Sequence, residues 1–183
     1  MSLVVLLGGA RSGKSTLALE LAASAGERVT FVATGEALDE EMAARIAAHR
    51  AERPREWVTI EEPVELGRAL DQPEPGDTCI VDCLTLWVSN RLLRGDDAAA
   101  LAEEAVGCAE RAAARPGLTV AVSNEVGLGI VPGTALGRTY RDVLGTVNRA
   151  WVDAAEWAGF VVAGRVLGLE RAERLVPARR GGS

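Results

Sequence analysis

The segment GGARSGKS, residues 8–15, has the residue types and the spacing of a phosphate-binding loop. It matches the pattern G-x-x-x-x-G-K-[ST], follows the apolar run LVVLL, and precedes the helix-forming run TLALELAASAG. In this pattern the glycine backbone curls N–H groups around phosphate oxygens, while the lysine reaches the β- and γ-phosphates of a nucleotide. The chain has a single lysine, and it falls at this position. We therefore predict nucleoside triphosphate binding by Gly8, Gly9, Ala10, Arg11, Ser12, Gly13, Lys14 and Ser15, with Lys14 also catalytic.

A second element of a nucleotide site is an acidic residue in CIVDCLTLW, residues 79–87. Asp82 ends that run, which is the position of a carboxylate that holds Mg²⁺ through its water shell beside a bound nucleotide. The alternative is an aspartate that only caps the next helix. We predict a Mg²⁺ site formed by Ser15 and Asp82 together with the nucleotide.

The only histidine of the chain, His49, lies in the helical segment RIAAHR. Asp39 is placed to cap this helix, and Pro54 ends it. Three- and four-residue spacing brings Arg45, His49 and Arg53 to one face. A neutral imidazole is a nucleophile near pH 7, and guanidinium groups attract phosphate. Composition alone favours the alternative of a surface histidine without a chemical role.

These residues need elements to hold them, and the apolar runs predict a parallel sheet. Strands are expected at residues 3–7, 29–33, 78–82, 118–122 and 160–164, because nearly continuous apolar runs suit strands buried on both faces. Helices are expected at about 14–25, 39–53, 63–71, 84–94, 98–114 and 135–158. This order predicts an α/β fold of the P-loop NTPase type, a mostly parallel sheet with helices on both faces. We expect one domain over residues 1–183, with 170–183 as a C-terminal tail.

The charge and the cysteine content argue against several classes of protein. A formal net charge of −6 argues against nucleic acid as a partner and against membrane binding, and the apolar start is too short to insert into a bilayer. Three cysteines without paired metal spacing indicate reduced thiols, and we expect a cytoplasmic protein. A single lysine at position 14 excludes the N-K-x-D motif with which signalling GTPases read guanine. On these residues alone, the chain could still be a small-molecule kinase.

Sequence blocks along the chain, among them those around Lys14, His49 and Asp82, make it resemble a known enzyme family. GGARSGKS, RIAAHRAERPREWVTIEEP, VDCLTLWVSN, and SNEVGLGIVP followed by RTYRDVLGTVN occur in the order of the bifunctional adenosylcobinamide kinase/adenosylcobinamide-phosphate guanylyltransferase family of cobalamin biosynthesis. The resemblance runs from about residue 3 to 169, and the histidine block is far more specific than the phosphate-binding loop. Arg149 stands where the family pattern has glutamine.

The resemblance implies two reactions. The family phosphorylates the aminopropanol hydroxyl of adenosylcobinamide with ATP or GTP. It then transfers GMP from GTP to adenosylcobinamide phosphate through a histidine, which gives adenosylcobinamide-GDP and pyrophosphate. The position of the histidine in its block assigns the GMP carrier to His49. The corrinoid is far larger than a pocket that we can outline on 183 residues, so we expect a homo-oligomer.

The resemblance also implies further binding residues. By their position in the family blocks we expect nucleotide contacts from Ala33, Thr34, Gly35, Arg50, Ala51, Glu52, Arg53 and Glu61. Exposed backbone groups of Ala33, Thr34 and Gly35, the Thr34 hydroxyl and the Glu61 carboxylate are natural hydrogen-bonding groups, although Glu61 could equally be a solvated strand end. Asn124 and Glu125 are expected to position substrate or metal, and Gly127 and Gly129 to serve backbone geometry. Two alternatives stay open: a non-catalytic nucleotide-binding regulator, and a simple kinase without guanylyl transfer.

Overall fold

The computed structural model describes residues 3–26 and 28–171. This part of the chain forms one sheet and the helices that cover it. The strands are β1 Leu3–Gly8, β2 Val29–Ala33, β3 Val58–Glu61, β4 Thr78–Asp82, β5 Thr119–Asn124, β6 Trp157–Val162 and β7 Arg165–Gly168. The helices are α1 Lys14–Ala25, α2 Glu40–Ala51, α3 Leu66–Ala69, α4 Leu84–Leu93, α5 Ala98–Ala114 and α6 Ala135–Ala154.

The strand order in the sheet is β3-β2-β4-β5-β1-β6-β7. Strands β1 to β6 pair in parallel, and β7 pairs antiparallel with β6. The carboxyl ends of parallel strands meet at one edge, where open α/β sheets bind their ligands. The loop after β1 and the residues that end β2, β4 and β5 therefore come together at this edge, which is the position that the sequence predicted for the nucleotide.

The core forms two layers, one on each face of the sheet. Alternate residues of β1 divide between them: Leu3, Val5 and Leu7 pack in the layer that holds Trp87 and Trp151, whereas Val4 and Leu6 pack beside Ala18 and Ala22 of α1. Period-two alternation of a strand that is buried on both faces produces this division. The α/β fold with helices on both faces is confirmed.

Five elements differ clearly from the sequence-based expectation. Strands β3 and β7 were not predicted, β6 begins at Trp157 rather than at residue 160, and α6 ends at Ala154 rather than at 158. The helix expected at 63–71 is limited to Leu66–Ala69, because the Glu62 carboxylate accepts hydrogen bonds from the N–H groups of Val64 and Glu65 and forms a turn there. Of the expected tail, residues 172–183 lie outside the described residues.

Within the described residues no helix has both the length and the apolar character needed to cross a membrane.

Candidate nucleotide-binding site

A cleft of about 720 Å³ opens at the carboxyl edge of the sheet. The loop after β1 lines one part of it with Ala10, Arg11, Ser12, Gly13, Lys14 and Ser15. One face of α2 and the residues after it line another part, with Met42, Arg45, Ile46, His49, Arg50 and Arg53. Ala33, Gly35, Glu61, Asp82 and Asn124 contribute from the strand ends. The predicted phosphate-binding loop and the predicted nucleophile thus face the same space.

The loop after β1 has the backbone geometry that binding of phosphate requires. Gly13 has φ 99°, a conformation that favours glycine, and it caps the N-terminus of α1, the end of a helix whose free N–H groups bind anions. Gly8 has φ 154°, and a Cβ at this position would collide with the Val161 carbonyl oxygen. The glycines at positions 8 and 13 are therefore fixed by the geometry of the loop.

Lys14 lies folded against this loop and is only 6% exposed. Its Nζ donates hydrogen bonds to the carbonyl oxygens of Gly9 and Gly8, at 2.6 and 3.0 Å. Burial lowers the pKa of Lys14, while the negative charge of Asp82 opposes that shift. The ammonium group is thus poorly hydrated and bonded to neutral oxygens, so a triphosphate would gain a strong electrostatic partner.

Ser15 and Asp82 line the cleft together, and both supply oxygen atoms, the donors that Mg²⁺ prefers. In the described part of the chain no group of three histidine, cysteine or acidic side chains is placed to hold a metal ion. Mg²⁺ commonly binds to one or two protein oxygens together with nucleotide phosphates and water, and that donor set matches the residues present.

His49 lies in the last turn of α2, with its side chain 42% exposed. The Asp39 carboxylate caps this helix by accepting a hydrogen bond from the Met42 N–H at 2.7 Å. None of the described residues of α2 is buried, so the helix rests on the cleft rather than on the core. Nδ1 of His49 lies 3.4 Å from Oε2 of Glu52, which leaves Nε2 available to a substrate.

Arg53 follows α2 and is held against the sheet. Its guanidinium stacks on the Phe31 ring at 3.5 Å, and Nη1 lies 3.5 Å from the Thr59 hydroxyl oxygen. Burial lowers the pKa of Arg53, and the Asp82 charge opposes the shift. Its Nε is buried without a hydrogen-bond partner among the described residues. A phosphate oxygen in the cleft would supply the missing acceptor.

The structure places several predicted binding residues outside the lining of the cleft. Thr34 is fully buried, and its hydroxyl donates to the Cys83 carbonyl at 2.6 Å and accepts from the Cys83 N–H at 2.8 Å. The Thr34 hydroxyl therefore holds the segment after Asp82, and the nucleotide contact expected of Thr34 stays a prediction. Gly8, Gly9, Ala51 and Glu52 also do not line the cleft, although the first two bind Lys14 and Glu52 faces His49.

The two carboxylates expected near the nucleotide have local partners. Glu61 lines the cleft, where its Oε1 lies 3.0 Å from Nη1 of Arg50 in an exposed ion pair. Glu125 does not line it, because its carboxylate accepts a hydrogen bond from the Gly127 N–H at 2.6 Å. Asn124, beside it, does face the cleft.

An apolar part of the cleft was not predicted. Ile46 and Leu86 both approach Gly35, where a Cβ would lie 3.4 Å from each side chain. Together with Met42 they form an apolar wall that suits one face of a flat base. Leu86 lies in the first turn of α4, directly after the strand that ends at Asp82, and this closeness to Asp82 in the sequence was the signal that could have found it.

Comparison with known proteins gives one family. The family model described as cobinamide kinase / cobinamide phosphate guanyltransferase matches residues 4–169. The bifunctional adenosylcobalamin biosynthesis protein CobP of Pseudomonas aeruginosa is 47% identical over 161 residues, which cover 87% of this chain and 92% of that protein. The protein CobU of Escherichia coli, which carries the same bifunctional description, is 38% identical over 176 residues, covering 88% and 96%.

A solved structure supports the fold alone. An ATPase from the type III secretion system of pathogenic bacteria aligns with a TM-score of 0.55 at 12% identity. The alignment covers 97% of this chain and 59% of the ATPase chain.

Proposed function

The chain belongs to the cobinamide kinase / cobinamide phosphate guanyltransferase family, and we propose that the cleft described above carries out both of its reactions. The observation that carries this proposal is the shared lining: the loop that holds Lys14 and the helix that holds His49 face one space. The substrates are adenosylcobinamide and adenosylcobinamide phosphate, with ATP or GTP as phosphoryl donor and GTP as guanylyl donor.

In the kinase reaction the aminopropanol hydroxyl oxygen of adenosylcobinamide attacks the γ-phosphorus of the nucleotide. The bond between that phosphorus and the β–γ bridging oxygen breaks, the nucleoside diphosphate leaves, and the hydroxyl proton passes to solvent. Lys14 and the loop N–H groups neutralise charge on the phosphate oxygens, which is the main contribution that a protein makes to phosphoryl transfer.

In the guanylyl transfer, an imidazole nitrogen of His49 attacks the α-phosphorus of GTP. The bond to the α–β bridging oxygen breaks, pyrophosphate leaves, and the other imidazole nitrogen gives up its proton. A phosphate oxygen of adenosylcobinamide phosphate then attacks the same phosphorus, the P–N bond breaks, and the imidazole regains a proton. One difficult displacement becomes two easier displacements.

Glu52 and the arginines adapt His49 to this task. The Glu52 carboxylate beside Nδ1 favours the tautomer that carries its proton there, which directs the lone pair of Nε2 to the α-phosphorus. Arg53, whose Nε has no hydrogen-bond partner in the described part of the chain, and Arg50 at the rim supply positive charge for the phosphates.

Ser15 and Asp82 would hold Mg²⁺ beside the bound nucleotide. A bound ion would there supply neutralisation of the phosphate charge. Placing Asp82 at the end of β4 keeps its carboxylate on the same side of the cleft as the phosphate-binding loop.

The covalent intermediate gives the direct test. The protein is incubated with GTP labelled in its α-phosphate, denatured and separated from free nucleotide. We expect retained label, which acid releases and base does not. A simple kinase or a non-catalytic regulator would retain none, so an unlabelled protein rejects the guanylyl-transfer part of the proposal.

We also propose that the enzyme is a homo-oligomer in the cytosol. The loop after β5 carries apolar side chains on the surface: Leu128 is 80% exposed and Ile130 is 97% exposed. Contact of such residues with a second subunit would remove apolar area from water and extend the surface available to the corrinoid.

A further inference from the structure

Four residues from three elements form a closed ring of hydrogen bonds beneath the cleft. The Asn124 N–H donates to the Thr85 hydroxyl oxygen at 2.7 Å, and this hydroxyl lies 3.4 Å from that of Ser123. Ser123 donates to Oδ1 of Asn148 at 2.6 Å. Nδ2 of Asn148 donates to the Asn124 carbonyl at 3.0 Å, which returns the ring to the residue where it began.

Chemistry fixes the direction of this ring. An N–H can only donate and a carbonyl can only accept, so each hydroxyl between them accepts from one neighbour and donates to the next. Thr85, Ser123 and Asn148 are at most 6% exposed, so water does not compete for these bonds. Hydrogen bonds that run in one direction polarise and strengthen one another, and breaking one link leaves a buried group unpartnered.

The ring fixes the backbone of Asn124 from both sides. Thr85 lies on α4, three residues after Asp82, and Asn148 lies on α6. In the sheet Asn124 is paired with Gly8, the first residue of the phosphate-binding loop, and the next N–H, of Glu125, donates to the Gly8 carbonyl at 3.1 Å. Asn124 lines the cleft together with Lys14 and Asp82.

We propose that the Asn124 side-chain amide contacts the γ-phosphoryl group during its transfer to the hydroxyl, and that Thr85, Ser123 and Asn148 are its positioning residues. This inference rests on the proposed kinase function. A neutral amide suits the place, because its NH₂ group can donate to a γ-phosphate oxygen while its oxygen accepts from the attacking hydroxyl. Such a contact requires the amide to be held in a precise position. The ring holds it there, because it binds both the N–H and the carbonyl group of Asn124.

The test compares Thr85→Val with Thr85→Ser in the full-length enzyme. Valine keeps the shape of threonine and removes the hydroxyl, whereas serine keeps the hydroxyl. For Thr85→Val we expect the kcat of adenosylcobinamide phosphorylation to fall about tenfold with the KM for MgATP within about threefold of wild type. Thr85→Ser should recover most of the rate. Asn124→Ala, which removes the contact itself, should lower kcat by about a hundredfold.

A matched control separates position from stability. Thr119 is fully buried at the other end of β5, where its hydroxyl accepts a hydrogen bond from Arg115 at 3.0 Å. Thr119→Val should lower the melting temperature as Thr85→Val does and leave the kinase kcat unchanged. If both valine variants lose kcat in proportion to their loss of stability, the positioning role is rejected.

Labelling of the protein with GMP separates this inference from the proposed function. Attack on the α-phosphorus does not use the γ-phosphoryl contact, so Asn124→Ala should retain labelling from α-labelled GTP within about threefold of wild type. Equal losses of both activities would overturn the assignment to the γ-phosphoryl group. Wild-type kcat in Asn124→Ala would overturn the contact altogether. A wild-type enzyme that fails to phosphorylate adenosylcobinamide would instead overturn the proposed kinase function.

Discussion

The guanidinium of Arg53 stacks on the ring of Phe31, with its central carbon 3.5 Å from the ring centroid. Phe31 is buried in β2, so this contact ties the end of α2 to the sheet. None of the described residues of α2 is itself buried, which makes the Arg53 contact important for the placement of the helix. His49 lies four residues before Arg53, and both line the cleft.

From this contact we predict that Arg53→Lys slows guanylyl transfer more than phosphorylation. Lysine keeps the charge but loses the planar stack and the fork of donors, so the phosphates and His49 should both be held less well. We expect GMP labelling to slow about tenfold, the equivalent of one lost hydrogen bond to a charged group. Phosphorylation by ATP should change less. Arg55→Lys, the same replacement at an exposed position, serves as the control, and equal slowing of both reactions would contradict the predicted selectivity.

The sequence predicted the parts of the fold that follow from local pattern. Continuous apolar runs revealed β1, β2, β4 and β5, because these strands are buried on both faces. Strand β3 was not predicted, because it is a short, partly exposed strand at the edge of the sheet. The residues at 157–158 read as the end of a helix, and only their pairing with β1 makes them a strand.

The site was predictable to the same extent. The motif around Lys14 and the single histidine could be found by residue type, and the structure brings both to one cleft. The direction of the Thr34 side chain could not, because it depends on a hydrogen-bond partner 49 positions away. The ring around Asn124 likewise joins residues separated by 24 to 39 positions, and no local pattern encodes such contacts.

Buried cysteines predict slow thiol chemistry and a loss of stability in alkali. Burial raises the pKa of Cys79 to about 11, and those of Cys83 and Cys108 to about 12. Unfolded thiols lose their protons at about pH 8.5. Above that pH the unfolded chain binds fewer protons than the folded chain, so the free energy of unfolding falls until the folded thiols ionise as well. Urea titrations at pH 8 and pH 10 should show the decrease. Replacing all three cysteines with alanine should reduce this pH dependence, and an unchanged slope would exclude the thiols as its source.

Ile130 provides a test of the proposed oligomer. Its side chain is 97% exposed in an apolar loop, so Ile130→Ser should weaken a subunit contact there without disturbing the core. Sedimentation velocity of wild type and variant would measure the change in mass. Leu38→Ser, which removes an apolar side chain that is 70% exposed before α2, is the control. A wild-type monomer would reject the oligomer, and an oligomer unaffected by Ile130→Ser would place the contact elsewhere.

Lys14→Ala should abolish kinase activity and GMP labelling together. Both reactions require the triphosphate to be held and its developing charge neutralised, a contribution of about 3–4 kcal/mol for one preorganised donor. Lys14→Met keeps the unbranched stem and removes the charge, so the same loss in both variants would assign the effect to the ammonium group. Far-UV circular dichroism checks that the variants fold. Wild-type rates for either reaction in Lys14→Ala would refute a shared phosphate site.

His49→Asn should separate the two activities. The γ-phosphoryl transfer uses the substrate hydroxyl as nucleophile, whereas guanylyl transfer needs a protein nitrogen at the α-phosphorus. Asparagine is polar and of similar reach, but it lacks the nucleophilic imidazole nitrogen. Because the helix rests on the cleft and not on the core, this exposed replacement should leave the fold and the phosphate-binding loop intact. We therefore expect adenosylcobinamide phosphate to form from ATP at a rate near that of wild type, with no acid-labile GMP adduct and no pyrophosphate release from GTP in a single turnover.

The control is Arg45→Asn, on the same face one turn earlier, which should retain the adduct. Labelling of His49→Asn at the wild-type level would mean that another residue carries GMP.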